Sequence, residues 1–158
     1  MIEIERKFLV TSEDFKTESI KQTRIIQGFL NTHPERTVRV RLKGEKGFLT
    51  VKGKSTDDGL KRFEWEKEIS KNDAEALLNL CEEGAIDKMR YEVKVGQHIF
   101  EIDEFFGNNE GLTIAEVELN HENDYFESPT WLGKEVTGDI KYYNSQLSLT
   151  PYKMWSFK

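Results

Sequence analysis

Polar and apolar positions alternate along most of this chain. Glu3, Glu5 and Lys7 recur at every second position, with Ile4, Arg6 and Phe8 between them. A β-strand turns successive side chains to opposite faces, so this spacing puts two carboxylates and an ammonium on one side. Thr37 to Lys43 repeats the design, with Arg39, Arg41 and Lys43 opposite Val38, Val40 and Leu42. Lys52 and Lys54 oppose Leu49 and Val51, while Glu64, Glu66 and Glu68 oppose Phe63, Trp65 and Ile69. Further pairs are Lys88 with Arg90, Glu101 with Asp103, and Glu116 with Glu118. The alternation predicts strands at 2–10, 22–30, 37–44, 47–55, 61–69, 87–95, 98–105 and 112–120.

Helical signals are few. A short helix fits the polar interval from Ser12 to Ser19. Ser70 with Asp73 forms an approximate capping box before Ala74, Leu77, Leu78 and Cys81 at helical spacing, and Gly84 can end that helix. Cys81 is therefore expected in the core. A last helix is expected over 140–147, ahead of an aromatic tail with Tyr152, Trp155 and Phe157. Together these elements predict a mainly β (α+β) fold: a single domain over 1–158, built as an eight-stranded antiparallel β-barrel tunnel with a few flanking helices.

One half-wetted strand would be unremarkable, since many sheets wet one face. Here, however, basic pairs fall on some strands and acidic pairs on others, whereas a surface shaped for solubility intersperses the signs. Segregated pairs suggest faces that look at each other, or at a charged ligand. Composition agrees: of 158 residues, 33% are charged and only 37% hydrophobic, lean for a compact globule unless the barrel interior is charged. Its apolar residues would then face outward and need cover. The net charge of −6 argues against a nucleic-acid partner held by bulk charge, but leaves room for a local basic pocket. A lone Cys81 excludes an intrachain disulfide, and His33, His98 and His121 lack zinc-type spacing. With no membrane-length apolar run and no leader pattern, the expectation is cytoplasmic residence without a membrane partner.

Clustered carboxylates suit hard divalent cations, Mg²⁺ or Mn²⁺. Arg and Lys pairs suit phosphate oxygens. A cavity holding both suits a metal-chelated polyphosphate. No Walker loop and no nucleophilic triad is present, so attack by water, with a metal to activate it, is the economical chemistry.

Glu3-x-Glu5-x-Lys7 at the N-terminus resembles the signature of the CYTH, or triphosphate tunnel metalloenzyme, superfamily. The resemblance continues through Gln27-Gly28-Phe29-Leu30, Val38-Arg39-Val40-Arg41, Thr50-Val51-Lys52, Lys88-Met89-Arg90-Tyr91, Glu101-Ile102-Asp103, Ala115-Glu116-Val117-Glu118 and Gly133-Lys134-Glu135-Val136-Thr137. It implies a β tunnel binding a small triphosphate with Mg²⁺ or Mn²⁺. By the same resemblance Glu3, Glu5, Asp103, Glu116 and Glu118 face the metal. Lys7, Arg39, Arg41, Lys52, Lys54, Lys88 and Arg90 bind the substrate phosphates, with Lys54 and Lys43 at the tunnel mouth. Glu5, Lys88 and Glu118 are the catalytic candidates. One departure stands out: Phe29 occupies a position where many small bacterial hydrolases of the family carry Tyr. The expected activity is hydrolysis of inorganic tripolyphosphate or a similar compound. A class IV type adenylyl cyclase and a non-catalytic triphosphate-binding module are the alternatives, and outward aromatics such as Trp65 leave a homodimer open.

Overall fold

Among the described residues, nine strands form one antiparallel sheet whose two sides meet. The computed structural model describes residues 1–156, so Phe157 lies outside the described residues. The strands are β1 (Ile2–Val10), β2 (Lys21–Asn31), β3 (Arg36–Lys43), β4 (Lys46–Ser55), β5 (Lys61–Ile69), β6 (Ile86–Val95), β7 (His98–Phe105), β8 (Thr113–Glu118) and β9 (Leu132–Glu135). Their order is β5-β4-β3-β2-β6-β7-β8-β1-β9, and β5 also pairs with β1, through Ile2 with Phe63, Glu3 with Arg62 and Ile4 with Lys61. That pairing closes eight strands into a barrel, as the alternation predicts. The ninth strand is an addition to it. Leu132–Glu135 adds to the far half of β1, with Phe8 opposite Glu135 and Val10 opposite Leu132. Four residues are too few for alternation to show.

The outward apolar faces are covered in two ways. Phe8, Tyr91, Val93, Phe100, Ile102, Ala115 and Val117 form one cluster with Phe15 and Trp131. Phe15 lies on the short helix α1 (Phe15–Glu18), and its ring meets Trp131 edge to face at 6.0 Å. Trp131 Nε1 donates to Glu18 Oε1 at 3.2 Å, so the fully buried indole keeps a polar partner. The helix α2 (Lys71–Leu78) lies over β3 and β4. Ser70 caps it by accepting from Asp73 N at 3.0 Å. The approach is close enough that a Cβ on Gly47 would stand 2.6 Å from Ala74 Cβ, so only glycine fits there. Cys81 is half-buried against Gly28 rather than fully in the core, and burial pushes its thiol up.

A second cluster closes one end of the barrel. Phe29, Ile86, Phe105, Leu112 and Ile114 pack against Val136, Tyr142 and Leu147 from the C-terminal segment. The helix expected over 140–147 is broken: a 3-10 turn at Ile140–Tyr142 precedes α3 (Asn144–Leu149). The break carries Tyr143 and Asn144 inward. Among the described residues, no helix is long and apolar enough to cross a membrane.

Candidate active site

The charge ladders converge on one cavity. Glu3, Glu5 and Lys7 come from β1, Arg39 from β3, Lys52 from β4, Arg62 from β5, Lys88 and Arg90 from β6, and Glu116 from β8. Six cations thus face three carboxylates within a chain of net charge −6. Both signs are concentrated there, since Glu64, Glu66, Glu101 and Asp103 also pair with these cations. Low-dielectric walls strengthen the field of the cations that a ligand can reach.

The cations are partly neutralised by carboxylates in the wall. Lys52 Nζ lies 3.1 Å from Glu3 and 3.2 Å from Glu64. Arg39 and Arg41 share Glu66 Oε2 at 3.3 Å each, and Lys7 stands 3.8 Å from Glu116. The Nε donors of Arg39 and Arg41 are buried with no partner among the described residues. Burial, with Arg39 and Arg90 beside it, lowers Arg41 to about 10. These are cationic donors kept dry and unsatisfied, a costly arrangement that an anionic oxygen would relieve.

The acidic side is strained in the same way. Burial pushes the Glu5 carboxyl well up, and the charges of Glu116 and Glu3 push it further. Glu3 is also raised by burial, despite Lys52. Glu116 is held down to about 2, because Lys7 and Arg90 outweigh its burial. Glu118 lies two residues beyond Glu116, exposed, at an acidic opening shared with Glu92, Glu101 and Asp124. Burial together with Glu64 and Glu101 raises it.

Besides Glu118, which does not line the cavity, two further expected site residues are placed differently. Asp103, read as metal-facing, is buried and spent on cations. Its Oδ1 accepts from Arg90 Nε at 2.7 Å, while Oδ2 accepts from Arg90 Nη2 at 2.8 Å and Lys88 at 2.9 Å. Those partners outweigh burial and pull its carboxyl well below the usual range. Lys54, read as substrate-binding, is turned away. A register shift between Lys52 and Ser55 inserts a residue into β4 and puts Ser55, not Lys54, on the inner face. The Lys54 side chain is 70% exposed, 3.9 Å from Glu35. Lys54→Ala is therefore expected to leave anion binding in the cavity unchanged, while Lys52→Ala weakens it; titrating the pair with tripolyphosphate checks the bulge.

Sequence reasoning missed Arg62, Tyr143 and Asn144. Arg62 had a signal, since it shares parity with Glu64 and Glu66. Tyr143 and Asn144 sit at an irregular turn and carry no periodicity. Tyr143 stands with its ring 5.0 Å from Lys7 Nζ and 5.7 Å from the Arg62 guanidinium. Phe29 lines the cavity as well, 2% exposed and packed in the apolar end, so that position offers no phenol.

The CYTH domain family matches this chain over residues 1–148. The chain belongs to that family. It is similar to an inorganic triphosphatase of Acetivibrio thermocellus, 46% identical over 152 residues and covering 96% of each chain. It is 37% identical to an inorganic triphosphatase of Nitrosomonas europaea, covering 95% of this chain and 99% of that one. The crystal structure of an inorganic triphosphatase superposes with a TM-score of 0.65 at 34% identity, covering 93% of this chain and 94% of the other. The fold extends further, to a Hippeastrum adenylyl cyclase homologue described as having a dominant triphosphatase activity, with a TM-score of 0.59 at 15% identity over 75% and 80% of the two chains.

Membership of the CYTH family implies a divalent metal ion. Among the described residues, no three acidic or histidine side chains already converge as a ready-made ligand set. The donor chemistry nevertheless fits. Glu3, Glu5 and Glu116 are hard oxygen donors on neighbouring strands, and the buried Glu5 is raised by the like charges around it. A cation among them would relieve that repulsion.

Proposed function

We propose that this CYTH protein is an inorganic triphosphatase, hydrolysing tripolyphosphate to diphosphate and orthophosphate with Mg²⁺ or Mn²⁺. The observation that carries the proposal is the convergence of six cations and three carboxylates on one cavity. The 46% identity to an inorganic triphosphatase supports it. More cationic groups converge than two phosphates can use, which favours the three-phosphate chain. A pure anion binder would need the basic set alone, whereas here three carboxylates share the cavity with it.

Glu3, Glu5 and Glu116 would hold the cation, with Glu118 two residues beyond at the acidic opening. When bound, it neutralises phosphate oxygens and makes the terminal phosphorus a better electrophile. Lys7, Arg39, Arg41, Lys52, Arg62 and Arg90 hold the phosphate chain in place. Water attacks the terminal phosphorus, the bridging P–O bond breaks, and diphosphate leaves with that oxygen. Lys88 is suited to take the proton that the water loses. Burial lowers its ammonium to about 8, with Arg90 adding to the shift and Asp103 opposing it. A base poised near the working pH is the efficient one.

The sign of the pH dependence follows. Below about 8 Lys88 keeps its proton, and above that value the neutral amine is available. Hydrolysis is expected to climb through this window and to lose the climb in Lys88→Arg, which stays protonated. ³¹P NMR of tripolyphosphate incubated with Mg²⁺ should show one diphosphate for each orthophosphate. A rate independent of pH between 7 and 9.5 would rule out the Lys88 role, and cyclic nucleotide formation from ATP in place of phosphate release would rule out the hydrolase.

A further inference from the structure

Lys88 is 2% exposed, and two acceptors hold its ammonium. Asp103 Oδ2 lies 2.9 Å from Nζ, and Asn144 Oδ1 also lies at 2.9 Å. Asp103 is itself clamped by Arg90 through both oxygens. Asn144 opens α3, which is anchored by the fully buried Leu147 and by Ser148 Oγ donating to Glu83 O at 3.4 Å. Behind Asn144 stands Gln27 of β2, whose Nε2 donates to the same Oδ1 at 2.7 Å.

The direction of these bonds is forced. An ammonium only donates, so the atom of Asn144 facing Lys88 must be its oxygen. That oxygen then needs a donor from Gln27, which turns Nε2 towards it and leaves Oε1 behind. Gln27 is fully buried, is not among the residues lining the cavity, and its Oε1 has no partner among the described residues. A dry wall position filled by Gln, with one amide atom unsatisfied, is worse packing than Met or Leu would give. What the glutamine does contribute is its bond to Asn144.

We infer that Asn144 and Gln27 are positioning residues that, with Asp103, fix the Lys88 side chain so that its one uncommitted valence faces the triphosphate in the cavity. Two acceptors at fixed places take two tetrahedral positions of Nζ, the Phe105 ring stands 5.5 Å away, and one position is left for a ligand in the cavity that Lys88 lines. One acceptor alone would let the head group swing about a single contact. The inference rests on the triphosphatase reading for the identity of the ligand, but the three-residue chain stands on its own geometry.

Asn144 lines the cavity and touches whatever binds there, so Gln27 is the cleaner probe. Gln27→Met keeps the length of the side chain and removes both the donor and the unsatisfied carbonyl. Its melting temperature is expected to equal or exceed that of the wild type. The kcat for tripolyphosphate with Mg²⁺ should fall roughly 10- to 100-fold, the range seen when a supporting partner of a site residue is lost, with KM little changed. Gln27→Met combined with Asn144→Ala should be no worse than Asn144→Ala alone, since both break one chain. Independently of activity, the ¹H–¹⁵N signal of the Lys88 ammonium should be sharp in the wild type and broadened in Gln27→Met. An unchanged kcat, additive losses in the double variant, or an equally sharp ammonium signal would each overturn the inference. If Gln27→Met melts early, the smaller Gln27→Leu repeats the comparison. If the wild type hydrolyses no triphosphate, the proposed function fails while the ammonium signal still decides the positioning.

Discussion

Glu5→Gln is expected to abolish hydrolysis and, at the same time, to make the ligand-free protein more resistant to heat. The first effect follows from removing a hard anionic donor from the Glu3, Glu5 and Glu116 set in the cavity; losing one such preorganised charge costs on the order of 100-fold or more in kcat. The second follows from the raised Glu5 carboxyl. Burial, Glu116 and Glu3 all disfavour its ionised form in the folded chain. A group raised in this way stabilises the fold while protonated, and that stability is lost as pH rises through the folded-state value. At neutral pH the wild type carries the cost, and the neutral amide escapes it. Thermal melts at pH 7 and pH 5 check the assignment: the variant should lead by a few degrees at pH 7, and the lead should shrink at pH 5 as Glu5 takes up its own proton. A variant less stable than wild type at both pH values would place Glu5 in the structural framework instead of the site.

Tripolyphosphate with Mg²⁺ should raise the melting temperature markedly. Both unsatisfied sets, the carboxylates and the dry Arg39 and Arg41 donors, are neutralised together when metal and anion enter. At 100 times its dissociation constant a ligand stabilises the native state by about 2.7 kcal/mol, and a chain of this size gains roughly 5–10 °C from that. Diphosphate reaches fewer of the six cavity cations and should give a smaller shift. Differential scanning fluorimetry at physiological ionic strength makes the comparison. Equal shifts for the two anions, or none, would mean that the basic residues do not act as one extended phosphate site.

The period-two ladders were the legible part of this chain. Glu3, Glu5 and Lys7 on β1, Arg39 and Arg41 on β3, Lys88 and Arg90 on β6, and Glu116 on β8 all face inward as their parity predicts, because a closed barrel keeps a strand's inner face inner along its length. Parity fails where the backbone breaks it: the bulge between Lys52 and Ser55 expels Lys54. Parity also says nothing about partners. Asp103 points inward as expected, yet Arg90 and Lys88 occupy it, a fact of cross-strand register (Arg90 opposite Asp103) that only pairing reveals. Tyr143 and Asn144 reach the cavity through the turn that breaks the last helix, and Gly138 through the turn just before it, and irregular backbone leaves no period to read. There, too, a Cβ on Gly59 would stand 2.2 Å from Gly138 Cα, a contact between segments far apart in sequence.

Phosphate release from a panel of tripolyphosphate, diphosphate, thiamine triphosphate and ATP, each with Mg²⁺, with Mn²⁺ and with chelator, tests triphosphate hydrolysis most directly. Expected is turnover of tripolyphosphate above every other compound, absent with chelator. Tripolyphosphate left intact under all three conditions, or turnover undiminished by chelator, would contradict a metal-dependent inorganic triphosphatase.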